Sequence, residues 1–224
     1  MAKVIEIKNI SKSYKLGETS VQAIKNLSLE INQGDFTALI GTSGSGKTTL
    51  LNLIGCLDHV DQGEIFIDEE NIKSLSEKKM SQFRNEKISF IFQSFNLIPV
   101  LNIFENIELP LSLRNQMTSD EKKKLINKAI DDVGLWEFRH HRPDQLSGGQ
   151  RQRVAIARAL VTSPKIILAD EPTANLDSET AHKIIDLLLE INQKQKVTFF
   201  FCTHDEKLMS RVQKIVKIKD GQIA

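Results

Sequence analysis

The stretch FTALIGTSGSGKTTLLNLI, residues 36–54, decides the fold. It joins a short apolar run, typical of a buried parallel strand, to a glycine-rich loop and then to leucines and isoleucines at helical spacing. The loop GTSGSGKTT matches the pattern G-x-x-x-x-G-K-[ST], and a strand before it and a helix after it are the context that this pattern requires. Because a chance match in a chain of this length is expected only about once in a hundred, we predict a phosphate-binding loop here.

Each residue type in this loop has a physical role in holding phosphate. Glycines let backbone N–H groups converge on one point, and the N-terminus of the following helix adds about half a positive charge. Lys47 is expected to reach the β- and γ-phosphates as a catalytic residue, and Thr48 is expected to offer its hydroxyl to Mg²⁺. The predicted nucleotide-binding residues of the loop are Gly41, Thr42, Ser43, Gly44, Ser45, Gly46, Lys47, Thr48 and Thr49.

The sequence on either side of the loop predicts an α/β fold. The runs VIEI, VQAI and LSLEI before it and GEIFID after it are typical of short strands separated by turn residues. KIILADE and VTFFFCTHD are continuous apolar runs with a helical segment between them, which predicts a βαβ unit in a parallel sheet covered on both faces. Asp220 and Gly221 predict a two-residue hairpin turn.

From residue 93 to residue 159 the pattern changes from strands to helices. Thr118 and Glu121 have the spacing of a capping box, and apolar residues follow at intervals of four up to Gly134. We therefore expect a mostly helical lobe at residues 93–159. It would be inserted into an α/β nucleotide-binding lobe of residues 1–92 and 160–224, within a single domain.

Composition narrows the class of protein. The 30 basic and 29 acidic residues balance, so no global field favours nucleic acid or an anionic membrane surface. Cys56 and Cys202 stand apart in apolar runs, which is typical of core residues in a reducing compartment. No apolar stretch approaches the roughly 18 residues of a spanning helix, and the first residues, MAKVIEIKNI, contain no apolar h-region of the kind that signal peptides have. We expect a cytoplasmic chain that does not cross a bilayer.

Two adjacent carboxylates end the strand KIILADE. Because ligands of parallel sheets lie at the carboxyl ends of the strands, Asp170 and Glu171 are expected to face the same crevice as the phosphate loop. Asp170 would hold Mg²⁺, and Glu171 is the catalytic residue expected to polarise the attacking water. The alternative is an acidic strand end that pairs with a surface lysine, and the phosphate loop favours the catalytic interpretation.

Two further residues follow apolar runs. His204 ends FFFCTHD and is expected beside Glu171, where it would contact the γ-phosphate and orient the water, although a lone histidine is more often structural. Gln93 follows ISFIF, and its amide could take either Mg²⁺ or the attacking water. Both are predicted catalytic residues, and Gln93 is also a predicted metal ligand.

A second glycine-rich turn, LSGGQRQR, occupies residues 146–153. Ser147 has the chemistry of an N-cap, and the two glycines after it bare the backbone at the start of a predicted helix, where an anion could bind. Ordinary helix capping with nothing bound explains the same residues. Local physics alone does not separate the two interpretations.

LSGGQ, the phosphate loop, ILADEPTANLDS, Gln93 and FCTHD occur in this order and closely resemble the nucleotide-binding subunits of ABC transporters. The resemblance covers essentially the whole chain, and LSGGQ separates that family from other P-loop NTPases. It implies a RecA-like core with a parallel sheet, an N-terminal antiparallel β subdomain and an inserted helical subdomain that carries LSGGQ. It also implies ATP and Mg²⁺ as cofactors and hydrolysis of ATP to ADP and phosphate.

The resemblance further implies a homodimer in the ATP state. In the family, LSGGQ caps the γ-phosphate of ATP held by a facing subunit, an aromatic residue stacks on adenine, and the D-loop lies between the subunits. Two complementary half-sites on one surface give, under two-fold symmetry, an isologous dimer with two composite sites. Beyond the phosphate loop, the residues expected to touch nucleotide are Tyr14, Ser147, Gly148, Gly149, Gln150 and Asp177.

Within the family, SGKTTLLNLIGCLD and FQSFNLIPVLNIFENIELPL look most like the lipoprotein-releasing (LolD-like) and macrolide-exporting (MacB-like) ATPases. This implies a peripheral subunit on the cytoplasmic face of the cell membrane that contacts integral membrane permease subunits through about residues 93–110. Dimer closure would power lipoprotein release or the export of a hydrophobic or peptide substrate.

Three rival functions remain to be weighed. A division-associated ABC ATPase would transmit force to a membrane partner without transport, and only the stretch at residues 94–111 discriminates against it. A soluble ABC ATPase acting on nucleic acid is disfavoured because the chain lacks the coiled-coil insertions, zinc clusters or second cassette of those classes. A nucleotide-dependent scaffold is disfavoured because Glu171 and His204 are both present.

Overall fold

The computed structural model describes residues 2–17, 19–114, 116–203 and 209–224, which form two sheets and several helices. The first sheet is antiparallel and has the order β2-β1-β4-β5. The second has the order β10-β9-β3-β8-β7-β6. The strands are β1 (Lys3–Leu16), β2 (Thr19–Asn32), β3 (Phe36–Ile40), β4 (Gln62–Ile67), β5 (Glu70–Asn71), β6 (Ile88–Ile91), β7 (Ile166–Asp170), β8 (Thr198–Cys202), β9 (Lys214–Lys219) and β10 (Gln222–Ile223).

The prediction of separate strands for VQAI and LSLEI was wrong, because both belong to the single strand β2. Asn26, between the two runs, has a φ of 46° and donates its backbone N–H to Ser11 Oγ at 3.1 Å. The pairing of β1 with β2 shifts register around Ile10. A polar interruption that resembles a turn is therefore an irregularity within one long hairpin.

The second sheet confirms the predicted βαβ unit and the hairpin turn at Asp220 and Gly221. β9, β3, β8, β7 and β6 pair in parallel, whereas β10 pairs antiparallel with β9, so the sheet is mixed rather than wholly parallel. This order places the carboxyl ends of β3 and β7 on either side of β8. The phosphate loop after β3 and the carboxylates after β7 consequently meet at one edge.

The helices are α1 (Lys47–Ile54), α2 (Glu77–Lys87), α3 (Ile103–Glu108), α4 (Ser119–Asp132), α5 (Gly148–Leu160) and α6 (Ser178–Gln195). The capping box before α4 is present: Thr118 donates its N–H to Glu121 at 2.8 Å, and its hydroxyl accepts from the Glu121 N–H at 3.3 Å. The sequence did not predict α2, which is almost entirely polar and buries only Met80 and Phe83.

Two hydrophobic cores cover the mixed sheet. Successive side chains of β8 alternate between them: Phe199 and Phe201 join the core that contains α4, α5 and α6, and Phe200 and Cys202 join the core shared with the antiparallel sheet and α1. Cys56 lies in this second core, where burial raises the pKa of its thiol to about 11. Both cysteines are buried, as predicted.

Candidate functional site

The loop after β3 has the backbone that a phosphate cradle needs. Gly46, at the N-cap of α1, has a φ of 106°, and a Cβ at this position would lie 2.7 Å from the carbonyl oxygen of Ala23. Only glycine fits, because any larger residue would be strained and would collide with β2. The turn therefore directs the first N–H groups of α1 into the concavity of the loop.

Lys47 lies inside this loop rather than in solvent. Its ammonium donates to the carbonyl oxygens of Gly41 and Thr42, both at 2.9 Å, and the residue is only 7% exposed. A cation surrounded by backbone dipoles at a helix N-terminus is the charge arrangement that favours a polyphosphate.

The first residue of the acidic pair touches the phosphate loop directly. Thr48 Oγ1 donates a hydrogen bond to Asp170 Oδ2 at 3.2 Å. Two oxygen atoms that can ligate a metal, from distant parts of the chain, therefore lie close together. Hard oxygen donors of this kind suit Mg²⁺, which keeps several waters and takes few protein ligands. No group of three or more His, Cys, Asp or Glu side chains that could hold a metal occurs among the residues described.

Glu171 follows at a sharp backbone turn. Its φ is 49°, its N–H donates to the carbonyl of Cys202 at 3.2 Å, and its own carbonyl accepts from the N–H of Ala174 at 3.2 Å. Main-chain bonds on both sides therefore fix the backbone of a residue in an unfavourable conformation, as is common at functional sites.

One cavity of about 440 Å³ unites these residues. Among the residues that line it are several that the sequence predicted as site residues: Ser43, Gly44, Gly46, Lys47, Thr48, Thr49, Asp170 and Glu171. Six other lining residues were not predicted from the sequence: Val21, Gln22, Ala23, Lys25, Asp220 and Gly221.

The missed residues come from β2 and from the turn between β9 and β10. Gly221 donates its N–H to the carbonyl of Ser45 at 3.0 Å, and the N–H of Lys25 donates to the carbonyl of Gly221 at 2.8 Å. This turn therefore closes the back of the loop. The sequence identified Asp220 and Gly221 as a hairpin, but no local signal connects that hairpin to residues 41–49.

Tyr14 does not line the cavity and makes contacts of its own. Its hydroxyl donates to Asp58 Oδ2 at 2.7 Å, and the ammonium of Lys12, which bonds to Asp58 Oδ1 at 2.7 Å, lies 5.2 Å from its ring centroid. Burial and the adjacent carboxylate raise the pKa of the phenol. Asp58 therefore fixes the orientation of the ring.

The LSGGQ segment makes the capping box that its sequence allows. Ser147 Oγ accepts from the N–H of Gln150 at 3.3 Å, and the Gln150 side chain accepts from the N–H of Ser147 at 2.9 Å. A Cβ at Gly149 would lie 2.6 Å from Cγ2 of Thr180 on α6, so this glycine is also required by packing within the chain. None of the residues 147–150 lines the cavity around Lys47.

Gln93 and Asp177 do not line the cavity and make hydrogen bonds of their own. Gln93 accepts at its carbonyl from Asn175 Nδ2 at 2.9 Å. Asp177 caps α6, accepting from the N–H groups of Glu179 and Thr180 at 3.1 and 3.0 Å. The pKa of the Asp177 carboxyl is held below its usual value by hydrogen bonds from Thr180. The bond from the Thr180 side chain has the larger effect and the bond from its backbone N–H the smaller. His204 lies outside the described residues.

Helices long and apolar enough to span a membrane are absent from the part of the chain that the structure describes.

Residues 24–174 match the family model described as ABC transporter, over more than half of the chain. The chain belongs to the ABC transporter family. The ABC fold is confirmed by the ATP-binding cassette MJ0796 of Methanocaldococcus jannaschii, whose solved structure is a dimeric post-hydrolysis state bound to ADP and Pi. That structure has a TM-score of 0.88 and 44% identity over 98% of this chain and 96% of its own.

Two curated relatives carry transporter names. This ABC chain is 44% identical to the lipoprotein-releasing system ATP-binding protein LolD of Francisella tularensis, over 98% of this chain and 95% of that protein. It is 42% identical to the macrolide export ATP-binding/permease protein MacB of Syntrophobacter fumaroxidans, over 98% of this chain but 31% of that protein. Both names agree with the predicted group within the family.

As an ABC transporter subunit, the chain binds ATP and hydrolyses it to power a membrane transporter. The predicted family, fold class and reaction are therefore confirmed. The division-associated alternative is not favoured by these relatives.

Proposed function

We propose that the chain binds Mg²⁺-ATP in the cavity at residues 41–49 and hydrolyses it between two facing copies. The observation that carries this proposal is the single cavity lined by Lys47, Thr48, Asp170 and Glu171. A cation, a pair of oxygen donors 3.2 Å apart and a second carboxylate are the groups that phosphoryl transfer to water requires.

Each of these four residues has a chemical role in the proposed reaction. Lys47 neutralises the β- and γ-phosphates from inside the loop, and Thr48 and Asp170 are the residues that would hold Mg²⁺. The metal supplies charge neutralisation at the phosphate oxygens. Glu171, fixed by its main-chain bonds to Cys202 and Ala174, polarises the water that attacks the γ-phosphate.

Gln93 and His204 complete the proposed catalytic set. The Gln93 carbonyl is held by Asn175, which leaves its side-chain amide to contact either the water or the metal. His204 is proposed to contact the γ-phosphate and orient the water, because it follows the strand adjacent to the one that ends at Asp170.

LSGGQ is proposed to act on the nucleotide of the facing copy. It begins the 13-residue helix α5, whose N-terminal dipole attracts an anion, and its residues do not line the cavity of their own chain. Support comes from MJ0796, whose structure bound to ADP and Pi is dimeric. In the proposed dimer Ser147, Gly148, Gly149, Gln150 and Asp177 contact the partner's nucleotide, and Tyr14 stacks on the adenine of its own.

The membrane surface is proposed to lie at residues 93–110, within a helical signature lobe of residues 93–159. Residues 1–92 and 160–224 form the proposed nucleotide-binding lobe. Val100 is 71% exposed in this segment, while Asn106 is fully buried and bonds to the backbone of Ile98 and Leu101 beneath it. A rigid loop with an exposed apolar tip suits a permanent protein partner.

The proposed partner is a pair of integral permease subunits, with this chain peripheral on the cytoplasmic face of the membrane. The likeness to LolD and MacB supports a role in lipoprotein release or in the export of a hydrophobic or peptide substrate. Co-expression with the membrane protein of the neighbouring reading frame, followed by co-purification and phosphate release, tests this assignment.

A mixing experiment tests the composite site. Ser147→Arg and Glu171→Gln are each expected to abolish phosphate release alone, because each homodimer lacks a group in both sites. An equimolar mixture contains heterodimers with one intact site, and it should regain about a quarter of the unsubstituted activity if subunits exchange freely. A mixture that exchanges subunits and stays inactive would contradict action in trans.

A further inference from the structure

Arg158, on the helix that LSGGQ begins, donates two hydrogen bonds to the segment after Gln93. Its Nη1 bonds to the carbonyl of Asn96 at 2.5 Å, and its Nη2 bonds to the carbonyl of Phe95 at 2.7 Å. Burial lowers the pKa of this guanidinium. Among the residues described, no carboxylate forms an ion pair with it, so a largely desolvated charge is satisfied by main-chain carbonyls.

The backbone that receives these bonds is strained. Phe95 and Asn96 have φ values of 61° and 49°, and a left-handed conformation is costly for phenylalanine. The segment is further held by the Arg151 guanidinium, 5.3 Å from the Phe95 ring centroid. Two arginines of one helix therefore maintain a conformation that the segment would not keep alone.

The other end of the same segment is held from a different direction. The carbonyl of Gln93 accepts from Asn175 in the loop after β7, close to Glu171 in sequence. Residues 93–96 are thus attached to the carboxylate loop at one end and to α5 at the other. A displacement of α5 relative to the sheet must move this short segment or break one of the attachments.

We propose that Arg158 is a positioning residue that sets the place of Gln93 in the catalytic site. This rests on the proposed function, which assigns Gln93 to the reaction. Because α5 begins with LSGGQ, Arg158 also connects the residues that would grip the partner's nucleotide to the residue that acts on its own.

The test is a double-mutant cycle on steady-state ATP hydrolysis by the full chain. Arg158→Ala is expected to lower kcat about tenfold with KM unchanged within about twofold, because Gln93 is misplaced while the cavity around Lys47 is intact. In a Gln93→Ala background the same change should lower kcat by less than about twofold, since the group through which it acts is gone. Arg158→Lys keeps the positive charge but loses the two-pronged guanidinium. With Gln93 present, its kcat should lie between the kcat of the unsubstituted chain and that of Arg158→Ala.

The matched control is Arg153, which lies on the same helix but bonds to Val133 instead of to residues 93–96. Arg153 Nη1 donates to the carbonyl of Val133 at 2.8 Å, which is also a main-chain acceptor in the helical region. Arg153→Ala should lower thermal stability, and any effect it has on kcat should be the same in the presence and absence of Gln93. A general loosening of α5 would give this additive result for both arginines.

The outcomes are separable. One outcome is that Gln93→Ala lowers kcat while Arg158→Ala lowers kcat by the same factor with and without Gln93. In that case the inference is wrong and the proposed function stands. If Gln93→Ala leaves kcat unchanged, both the catalytic role of Gln93 and the inference are wrong. Should Arg158→Ala fail to fold, the same cycle with Arg158→Lys decides: full multiplication of the losses overturns the inference, and a reduced effect supports it.

Discussion

Thr48 Oγ1 lies 3.2 Å from Asp170 Oδ2, which joins the first turn of α1 to the end of β7 across 122 positions of sequence. The two oxygens are the proposed protein contribution to a Mg²⁺ site. Both are placed by backbone features, Gly46 on one side and the parallel pairing of β7 with β8 on the other. The pair therefore gives a direct test of the metal assignment.

Asp170→Asn is expected to raise the Mg²⁺ concentration needed for half-maximal ATP hydrolysis by about tenfold or more, because an amide replaces an anionic ligand. Binding of ATP in EDTA should change little, since Lys47 and the loop remain. A Mg²⁺ titration of phosphate release measures the effect. Asp131→Asn, an exposed carboxylate on α4, is the control, and an unchanged titration for Asp170→Asn would refute the metal assignment.

Glu171→Gln should reduce kcat by about a hundredfold or more, because the amide cannot polarise water, while ATP affinity stays near that of the unsubstituted chain. With hydrolysis blocked, the ATP-bound dimer should accumulate. Size-exclusion chromatography with Mg²⁺-ATP measures it. A variant that stays monomeric under these conditions would count against a nucleotide-bridged dimer.

Gly149→Ala is expected to destabilise the chain by about 1–3 kcal/mol, because its methyl group would collide with Cγ2 of Thr180. Thr180→Ser removes that methyl group and keeps the hydroxyl near Asp177, so the double variant should recover most of the stability. Urea unfolding gives both values. If the double variant is stable but still inactive, the glycine has a second role at the nucleotide; equal instability of single and double variants would exclude the packing explanation.

Asp58 links Lys12 and Tyr14, and its stability contribution should depend on pH in a defined direction. Burial opposes its ionisation, but hydrogen bonds from Lys12, Tyr14 and the His59 N–H prevail and lower its pKa. A lowered folded-state pKa stabilises the protein above the unfolded value of about 4, and this contribution is lost as the pH falls through the folded value. Urea midpoints of the unsubstituted chain and Asp58→Asn should therefore differ from pH 8 to pH 5 and converge in acid. A difference that persists unchanged at pH 3 would contradict this.

Val100→Asp should abolish co-purification with the membrane partner and leave the melting temperature unchanged, because its side chain is 71% exposed and a charge there would be desolvated only in a complex. Ile215→Asp places the same charge at another exposed apolar residue, on β9, and should not affect co-purification. Equal loss in both variants would indicate non-specific disruption.

Local patterns predicted the phosphate loop, the strand before Asp170 and the capping box at Thr118 because the forces that form them act within a few residues. The loop residues and the carboxylates could be brought together from sequence only by the general geometry of parallel sheets. The polar helix α2 escaped detection because two buried side chains, Met80 and Phe83, give no periodic signal.

Long-range main-chain bonds were beyond sequence analysis. Arg158, Asn175 and the turn at Gly221 each form hydrogen bonds with backbone groups far along the chain. Every residue has a backbone carbonyl, so the sequence does not show which donor a given carbonyl will accept from. Tyr14 illustrates the same limit, because the family resemblance implied a stacking role and only the structure gives the Asp58 contact that orients the ring.

The turn at Gly221 also has a consequence for synthesis on the ribosome. The loop at residues 41–49 emerges early, but its back is closed by Gly221 on Ser45 and by the carbonyl of Ile218, beside which only a glycine fits at residue 41. A nascent chain therefore lacks the finished nucleotide cradle until residue 221 has been translated. The order of translation thus leaves the loop at residues 41–49 without these contacts in every chain that stops short of residue 221.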